Sequence, residues 1–304
     1  MKNKLFTILV FTGILTISRS AFGQGCSDAG FCTLSNFKPH GIDTGRFFKN
    51  SLTGGISYGG ADHSISIFGV HFEYNRELSK KLGFNAKLTS LSQSGNGISS
   101  FGISDLFVNA NYAAKDIGIL TFGFKLPLKN GNKIKDGLAL PMDYQSSLGS
   151  LDLILGISKN VDKFNLTFAI QQPLGQNQNQ FLAPSYPANS PLRQFQSTNK
   201  FIRKGDIMVR VAYPIAVNNG FIITPSLLPI LHLGKDKFTD AQRVERSIDG
   251  SGGLTLNGVV HADYLIDKIN SLQFSVGIPF IVRKTRPDGL TRDFVVALEY
   301  KWKF

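Results

Sequence analysis

The sequence predicts an all-β fold: a transmembrane, antiparallel, up-and-down barrel of about twelve strands. Three observations carry this. First, the C-terminal stretch alternates. Leu290, Phe294, Val296, Leu298, Tyr300, Trp302 and Phe304 fall on one face, and Thr291, Asp293, Val295, Ala297, Glu299, Lys301 and Lys303 on the other. Side chains in a strand alternate across the sheet, so one face is apolar and the other largely polar. The run exceeds an ordinary strand of about 5–6 residues and suits a tilted strand through a bilayer. Second, the same phase recurs. Phe68, Val70, Phe72 and Tyr74 oppose His71, Glu73 and Asn75; Phe164, Leu166, Phe168 and Ile170 oppose Asn165, Thr167 and Gln171; Leu272, Phe274, Val276, Ile278 and Phe280 oppose Gln273, Ser275 and Arg283. Third, short and long connections alternate along the chain, as short periplasmic turns and longer external loops do.

Taken in order, the chain opens on Lys2 and Lys4, then an apolar run from Leu5 to Ile17, then Ala21-Phe22-Gly23. This is the layout of a signal peptide over residues 1–23, cleaved before Gln24. The run is too short to span a bilayer comfortably as a helix. Residues 24–45 show no clean period and hold both cysteines, Cys26 and Cys32. In an exported chain two nearby cysteines pair. The segment reads as a clipped plug folded into the lumen, the alternative being a periplasmic tail. The barrel occupies residues 46–304.

Short turns are expected at Ser79-Lys80-Lys81, Ala114-Lys115-Asp116, Val161-Asp162-Lys163, Asn218-Asn219-Gly220 and Asp267-Lys268-Ile269. Longer connections are expected over 92–99, 129–147, 173–199, 235–250 and 284–289, with one short external connection near Gly59 to Asp62. This arrangement places both termini in the periplasm. Two further strands hidden before Ser51 or in the long loops would raise the count to about fourteen, also an even number. The loop after Gln171 carries a solvated Gln and Asn run, but Phe181, Tyr186 and Phe195 predict that part of it packs over the mouth.

Composition agrees. Gly 31 and Phe 25 suit strands with tight corners and aromatic girdles. The formal charge of +12 is scattered rather than gathered in one patch, which argues against nucleic-acid binding. The bases Lys133, Lys135, Arg193, Lys200, Arg203, Lys235, Lys237, Arg243, Arg246 and Arg286 are expected at the external rim, facing phosphates of outer-leaflet glycolipid. No ligand cluster points to a metal, and no cofactor is implied.

Phasing assigns His71, Glu73, Lys87, Asp105, Lys125, Asp152, Asp206, Arg210, His232, His261, Asp263, Asp293 and Glu299 to the lumen. Both signs are present. They either pair and fill the interior or line a polar pathway. Pro225, Pro229 and Pro279 interrupt good strands and predict kinks or bulges in the wall. A lipid hydrolase would need a Ser and His pair facing lipid. His71, His232 and His261 share the luminal phase, and Ser64 and Ser66, the outward serines, have no outward histidine beside them.

Two resemblances extend the reading. The terminal Tyr300, Trp302 and Phe304 form an interfacial girdle, and a chain ending on an aromatic resembles the assembly signal of bacterial outer-membrane barrels. That implies the Gram-negative outer membrane and its barrel-assembly machinery as a partner. Gly102-Ile103-Ser104-Asp105-Leu106 with Asn111-Tyr112, then Lys125-Leu126-Pro127-Leu128, Gly137-Leu138-Ala139-Leu140-Pro141 and Leu148-Gly149-Ser150-Leu151-Asp152 resemble the outer-membrane barrels labelled as meta-pathway of phenol degradation. Lys204-Gly205-Asp206-Ile207 with Tyr213-Pro214 repeats the flavour of the first motif. The likeness is clearest from Phe101 to Tyr213. That family is likened to long-chain fatty-acid transporters. The resemblance implies a non-enzymatic channel or transporter for small hydrophobic or aromatic solutes. A non-transporting structural or adhesive barrel is the alternative, with a lipid hydrolase behind it.

Overall fold

The computed structural model describes residues 31–39, 48–289 and 293–304. The expected signal peptide, Cys26 and Leu290 lie outside them. Twelve antiparallel strands close into a barrel. They are β1 (Asn50–Ala61), β2 (Ile65–Glu77), β3 (Leu82–Gly95), β4 (Ile98–Ala114), β5 (Gly118–Pro127), β6 (Asp152–Val161), β7 (Phe164–Pro173), β8 (Asp206–Ala212, continuing as Ile215–Asn218), β9 (Phe221–His232), β10 (Gly253–Leu265), β11 (Asn270–Ile281) and β12 (Phe294–Lys303). Each pairs with its neighbours in sequence, and β12 returns to β1 with Leu52 opposite Trp302 and Ile56 opposite Leu298. Closure leaves no edge strand with unpaired backbone groups, which a bilayer does not tolerate.

The alternation does what it predicts. Phe68, Phe72, Phe101, Phe122, Phe168, Phe274 and Phe280 all stand exposed on the outer wall. A continuous apolar exterior of this kind is stable only in lipid. Tyr112, Phe164, Tyr264, Tyr300 and Trp302 are likewise exposed near the ends of the strands that carry the short turns. Trp302 stacks on Phe304 with ring centroids 4.5 Å apart. These rings form a band of exposed aromatics at that end of the barrel.

One sequence expectation about the connections is corrected. No long loop spans 92–99. β3 and β4 run on to Gly95 and from Ile98, leaving only Asn96 and Gly97 between them. Both have positive φ, 52° and 73°. That is the two-residue hairpin turn for which Asn-Gly is the strongest short signal, and polar flanking serines disguised it as a loop. The prolines of β9 act on one side of their strand. The β9–β10 register runs unbroken through Pro225, opposite Val260, and Pro229, opposite Leu256. On the other side the β8–β9 pairing lapses at Val209 and Arg210, across from Pro229, and again at Tyr213 and Pro214, across from Pro225, while the register is kept. Pro279 does sit at an irregularity, since Leu256 pairs with Ile281 and Asn257 with Pro279.

The remaining long connections, 128–151, 174–205, 233–252 and 282–293, fold over the mouth at the opposite end from the short turns. Leu140, Tyr144, Phe181, Leu192 and Phe195 pack on Ala61, Ile65 and Ile67 of the β1–β2 hairpin. Met142, Leu148, Phe201 and Ile248 form a second cluster. The lid therefore has an apolar core of its own.

Candidate functional site

Residues 31–39 lie inside the barrel as two single 3-10 turns, Phe31–Thr33 and Ser35–Phe37. Cys32, Leu34 and Phe37 are buried and share one apolar cluster with Phe107, Ile154, Ala169, Met208 and Val259 of the wall. Phe37 is accommodated by Gly156. A Cβ there would meet the Phe37 ring at 2.4 Å, so only glycine lets the ring lie against β6. Cys32 is disulfide-bonded. The chain has one other cysteine, Cys26, which lies outside the described residues.

Polar contacts fix the segment. Arg210 donates to the carbonyls of Phe37 at 2.7 Å and Cys32 at 2.9 Å. Lys87 donates to the Thr33 carbonyl at 2.9 Å and hydroxyl at 3.0 Å, and stands 4.0 Å from Glu73. Lys38 pairs with Glu299, which also faces the His71 ring at 3.4 Å. Ser158 donates to the Asn36 carbonyl at 3.0 Å, and Ser35 bonds to Asn75 at 3.0 Å. The backbone carbonyls of so short a segment have few partners of their own, and the luminal bases supply them.

Next to this plug lies a cavity of about 170 Å³. Cys32, Thr33 and Lys38 of the plug line it, with His71 and Leu91 of β2 and β3, Asp105 and Phe107 of β4, Arg210 of β8, Val259 and His261 of β10, and Val295, Ala297 and Glu299 of β12. Leu148 reaches it from the 128–151 loop.

The Gly102-Ile103-Ser104-Asp105 motif has a structural role here. The β3–β4 register slips by one residue between Leu88 and Ser90. Such a bulge re-aims a side chain. Both Ser104 and Asp105 turn inward and are buried. The Thr89 hydroxyl fills the gap, accepting from Asp105 N at 3.2 Å and donating to its carbonyl at 3.1 Å. Asp105 then accepts from Ser147 at 2.6 Å and Ser104 at 3.2 Å. This tethers the loop beside Leu148. Lys125 and Asp152, predicted luminal, meet at 2.7 Å with no exposure, and Gln171 donates to Asp152.

Asp206 and His232 belong to a different place, under the lid. They are part of a closed ring of charges. Arg203 reaches Asp206 at 2.5 Å, Asp206 meets His232 Nδ1 at 2.7 Å, and His232 Nε2 meets Asp236 at 2.8 Å. Arg283 stands 4.0 Å from Asp236 and 2.9 Å from Asp288, and Asp288 returns to Arg203 at 3.6 Å. All six side chains are buried, and they join three of the four long loops to the strand ends. Burial pushes the Asp288 carboxyl up, but Arg283 and Arg203 outweigh it and hold the group at about 2. Arg203 corrects the rim assignment: it is ion-paired inside the lid rather than facing glycolipid. Arg286 likewise pairs with Asp62. Asp236 and Asp288 sit in loops, where no period gives a phase. The one sequence signal was charge spacing, Arg203 with Asp206 and His232 with Asp236.

Two predicted luminal residues stand apart from these groups. Asp263 accepts from Gln273 at 2.8 Å low on β10. Asp293 precedes β12 at the lid end, its N–H donating to the Gly60 carbonyl at 2.5 Å. His71, His232 and His261 are all buried inside the barrel.

No family model and no curated protein matches the chain. Among solved structures it is similar to an outer membrane channel from Pseudomonas putida F1, at 14% identity and a TM-score of 0.59, over 89% of this chain and 98% of that one. Two fainter likenesses are the translocator domain of the autotransporter NalP from Neisseria meningitidis (11% identity, 85% and 90% covered, TM-score 0.48) and the CymD monoaromatic hydrocarbon channel (8%, 93% and 94%, TM-score 0.45). At such identity the first likeness speaks for architecture alone, and the other two add nothing to it. The chain has the fold of an outer-membrane β-barrel.

Proposed function

We propose that this chain is an outer-membrane channel that passes small hydrophobic or aromatic solutes through a lumen plugged by its own N-terminal segment. The observation that carries the reading is the cavity itself. It lies between a docked plug and a tethered loop, and Leu91, Phe107, Leu148, Val259, Val295 and Ala297 make much of its wall apolar. An engineered apolar cavity of ~150 Å³ holds one benzene ring, so about 170 Å³ suits a single ring with a small substituent. The apolar outer wall and the aromatic band support an outer-membrane location, and the short turns support termini on the periplasmic side. Lys135, Arg193, Lys200 and Arg243 remain exposed on the lid and suit glycolipid phosphates.

One observation favours the alternative of a non-transporting structural barrel: the lumen is crowded with paired charges, as filled small barrels are. Uptake separates the two. Cells carrying the chain are expected to take up a labelled monoaromatic such as phenol faster than cells lacking it, and a sugar of similar mass no faster. Equal rates for both strains would remove the transport reading.

A further inference from the structure

We propose that the luminal cavity recognises the carboxylate of a small aromatic monoacid, with Arg210 as the counter-charge and His261 as the second polar contact. This rests on the channel reading above and narrows its solute class.

The argument begins with the luminal bases. Lys38 has Glu299, Lys87 has Glu73, Lys125 has Asp152, and Arg203 and Arg283 share Asp288. Arg210 differs. It is 1% exposed, and among the described residues no carboxylate lies within ion-pair distance of it. Its hydrogen-bond partners are two plug carbonyls, and its Nε has none among the described residues. Guanidinium stays charged even when buried. A buried charge without a counter-ion is costly, and an anion bound beside it removes that cost.

His261 is the second observation. It lines the same cavity, is 3% exposed, and neither ring nitrogen has a hydrogen-bond partner. Buried polar groups are as a rule satisfied, and an unsatisfied one marks a missing ligand or water. A neutral imidazole donates from one nitrogen and accepts at the other, so it can give a carboxylate one N–H beside the guanidinium. The cavity's remaining unpaired carboxylate, Asp105, is already occupied by the Ser104 and Ser147 hydroxyls at the loop side.

Charge and shape then select the solute. One uncompensated base calls for one negative charge. A dianion would bury a charge with no partner, and a neutral hydrocarbon would leave Arg210 and His261 unanswered. The apolar wall and the volume fit one ring. Benzoate has this composition. Its carboxylate would compete with the Phe37 and Cys32 carbonyls for Arg210, so the solute itself would weaken the contacts that dock the plug.

Calorimetry on the detergent-folded full chain tests this, using benzoate and its neutral counterpart benzyl alcohol. Wild type is expected to bind benzoate about tenfold or more tightly than benzyl alcohol. Arg210→Gln and His261→Phe are expected to weaken benzoate by about tenfold to a hundredfold, the range of a hydrogen bond to a charged group; His261→Phe leaves benzyl alcohol within about twofold, whereas Arg210→Gln, which also frees the Phe37 and Cys32 carbonyls, is read only by a loss of benzoate larger than its loss of benzyl alcohol. His261→Phe is the cleaner variant, because His261 holds no partner that its loss would orphan. Equal wild-type affinities, or benzoate binding untouched in both variants, would overturn the carboxylate site and leave an apolar channel standing. Failure of wild type to bind either compound would overturn the site and the channel reading together.

Discussion

Phe37→Ala should release the plug and leave the barrel intact. The Phe37 ring is fully buried between the plug and β6, packed where Gly156 removes a side chain from the wall. Truncating a buried Phe costs about 3–5 kcal/mol. The strands do not bear that cost, because their stability lies in the closed hydrogen-bonded ladder. The docking of residues 31–39 bears it. Each ~1.4 kcal/mol is a factor of ten, so the undocked fraction rises about a hundredfold or more. Gly156→Val attacks the same contact from the wall side, since even a Cβ would overlap the ring at 2.4 Å. Two assays read the outcome: protease cleavage before Lys49 in the folded, detergent-solubilised barrel, and the frequency of open-channel events in a planar bilayer. Both should increase in both variants. Phe280→Ala, on the lipid face, should change neither. If Phe37→Ala and Gly156→Val cleave and conduct like wild type, the Phe37 contact does not dock the plug and the reasoning fails.

Four further outcomes are expected. Arg203→Ala leaves Asp206 and Asp288 buried with weaker compensation, so the lid should lose about 3–5 kcal/mol and the folded band on a semi-native gel should melt at lower temperature. Because Asp288 is held at about 2 against an ordinary 3.8, its contribution is complete above about pH 4 and is lost as pH falls toward 2; Asp288→Asn should flatten that acid-side loss in thermal melts. Asp143, in the 128–151 loop, runs the other way: burial, helped by Asp62 and Asp288, pushes its carboxyl up to about 7. Folded-state protonation is then favoured, so lid stability falls as pH rises from about 4 to 7 and levels above. Limited proteolysis of the loop should be slower at pH 5 than at pH 8, and Asp143→Asn should erase the difference. Gly97→Val forces a β-branched residue to a φ of 73° and should cost roughly 1–3 kcal/mol, read as a lower melting temperature.

The barrel was legible in the sequence because lipid on one side and lumen on the other impose a strict period of two. Leu153, Leu155 and Ile157 point out while Asp152, Ile154 and Ser158 point in, and strand after strand keeps that phase. The luminal residues followed from the same phase, and so His261 and Arg210 were findable. Their isolation was not. Whether a luminal charge has a partner depends on cross-barrel distances, and phase carries no distance. Loops have no period either. Arg203 therefore looked like a rim base, while Asp236 and Asp288 drew no attention, although these three with Arg283 complete the ring around Asp206 and His232. The turn at Asn96 and Gly97 was legible but was outweighed by the polar serines around it. The bulge at Ser104 and Asp105 is a one-residue slip between two good strands, which no alternation count shows.

The measurement that bears most directly on a self-plugged channel is single-channel conductance in a planar bilayer, comparing the mature full-length chain with a version starting at Gly45. The plugged lumen predicts a nearly silent full-length protein and a steadily conducting truncated one, since the truncation removes Phe37, Lys38 and the carbonyls that occupy Lys87 and Arg210. A large steady conductance in the full-length chain, or a truncated chain that stays silent, would contradict it.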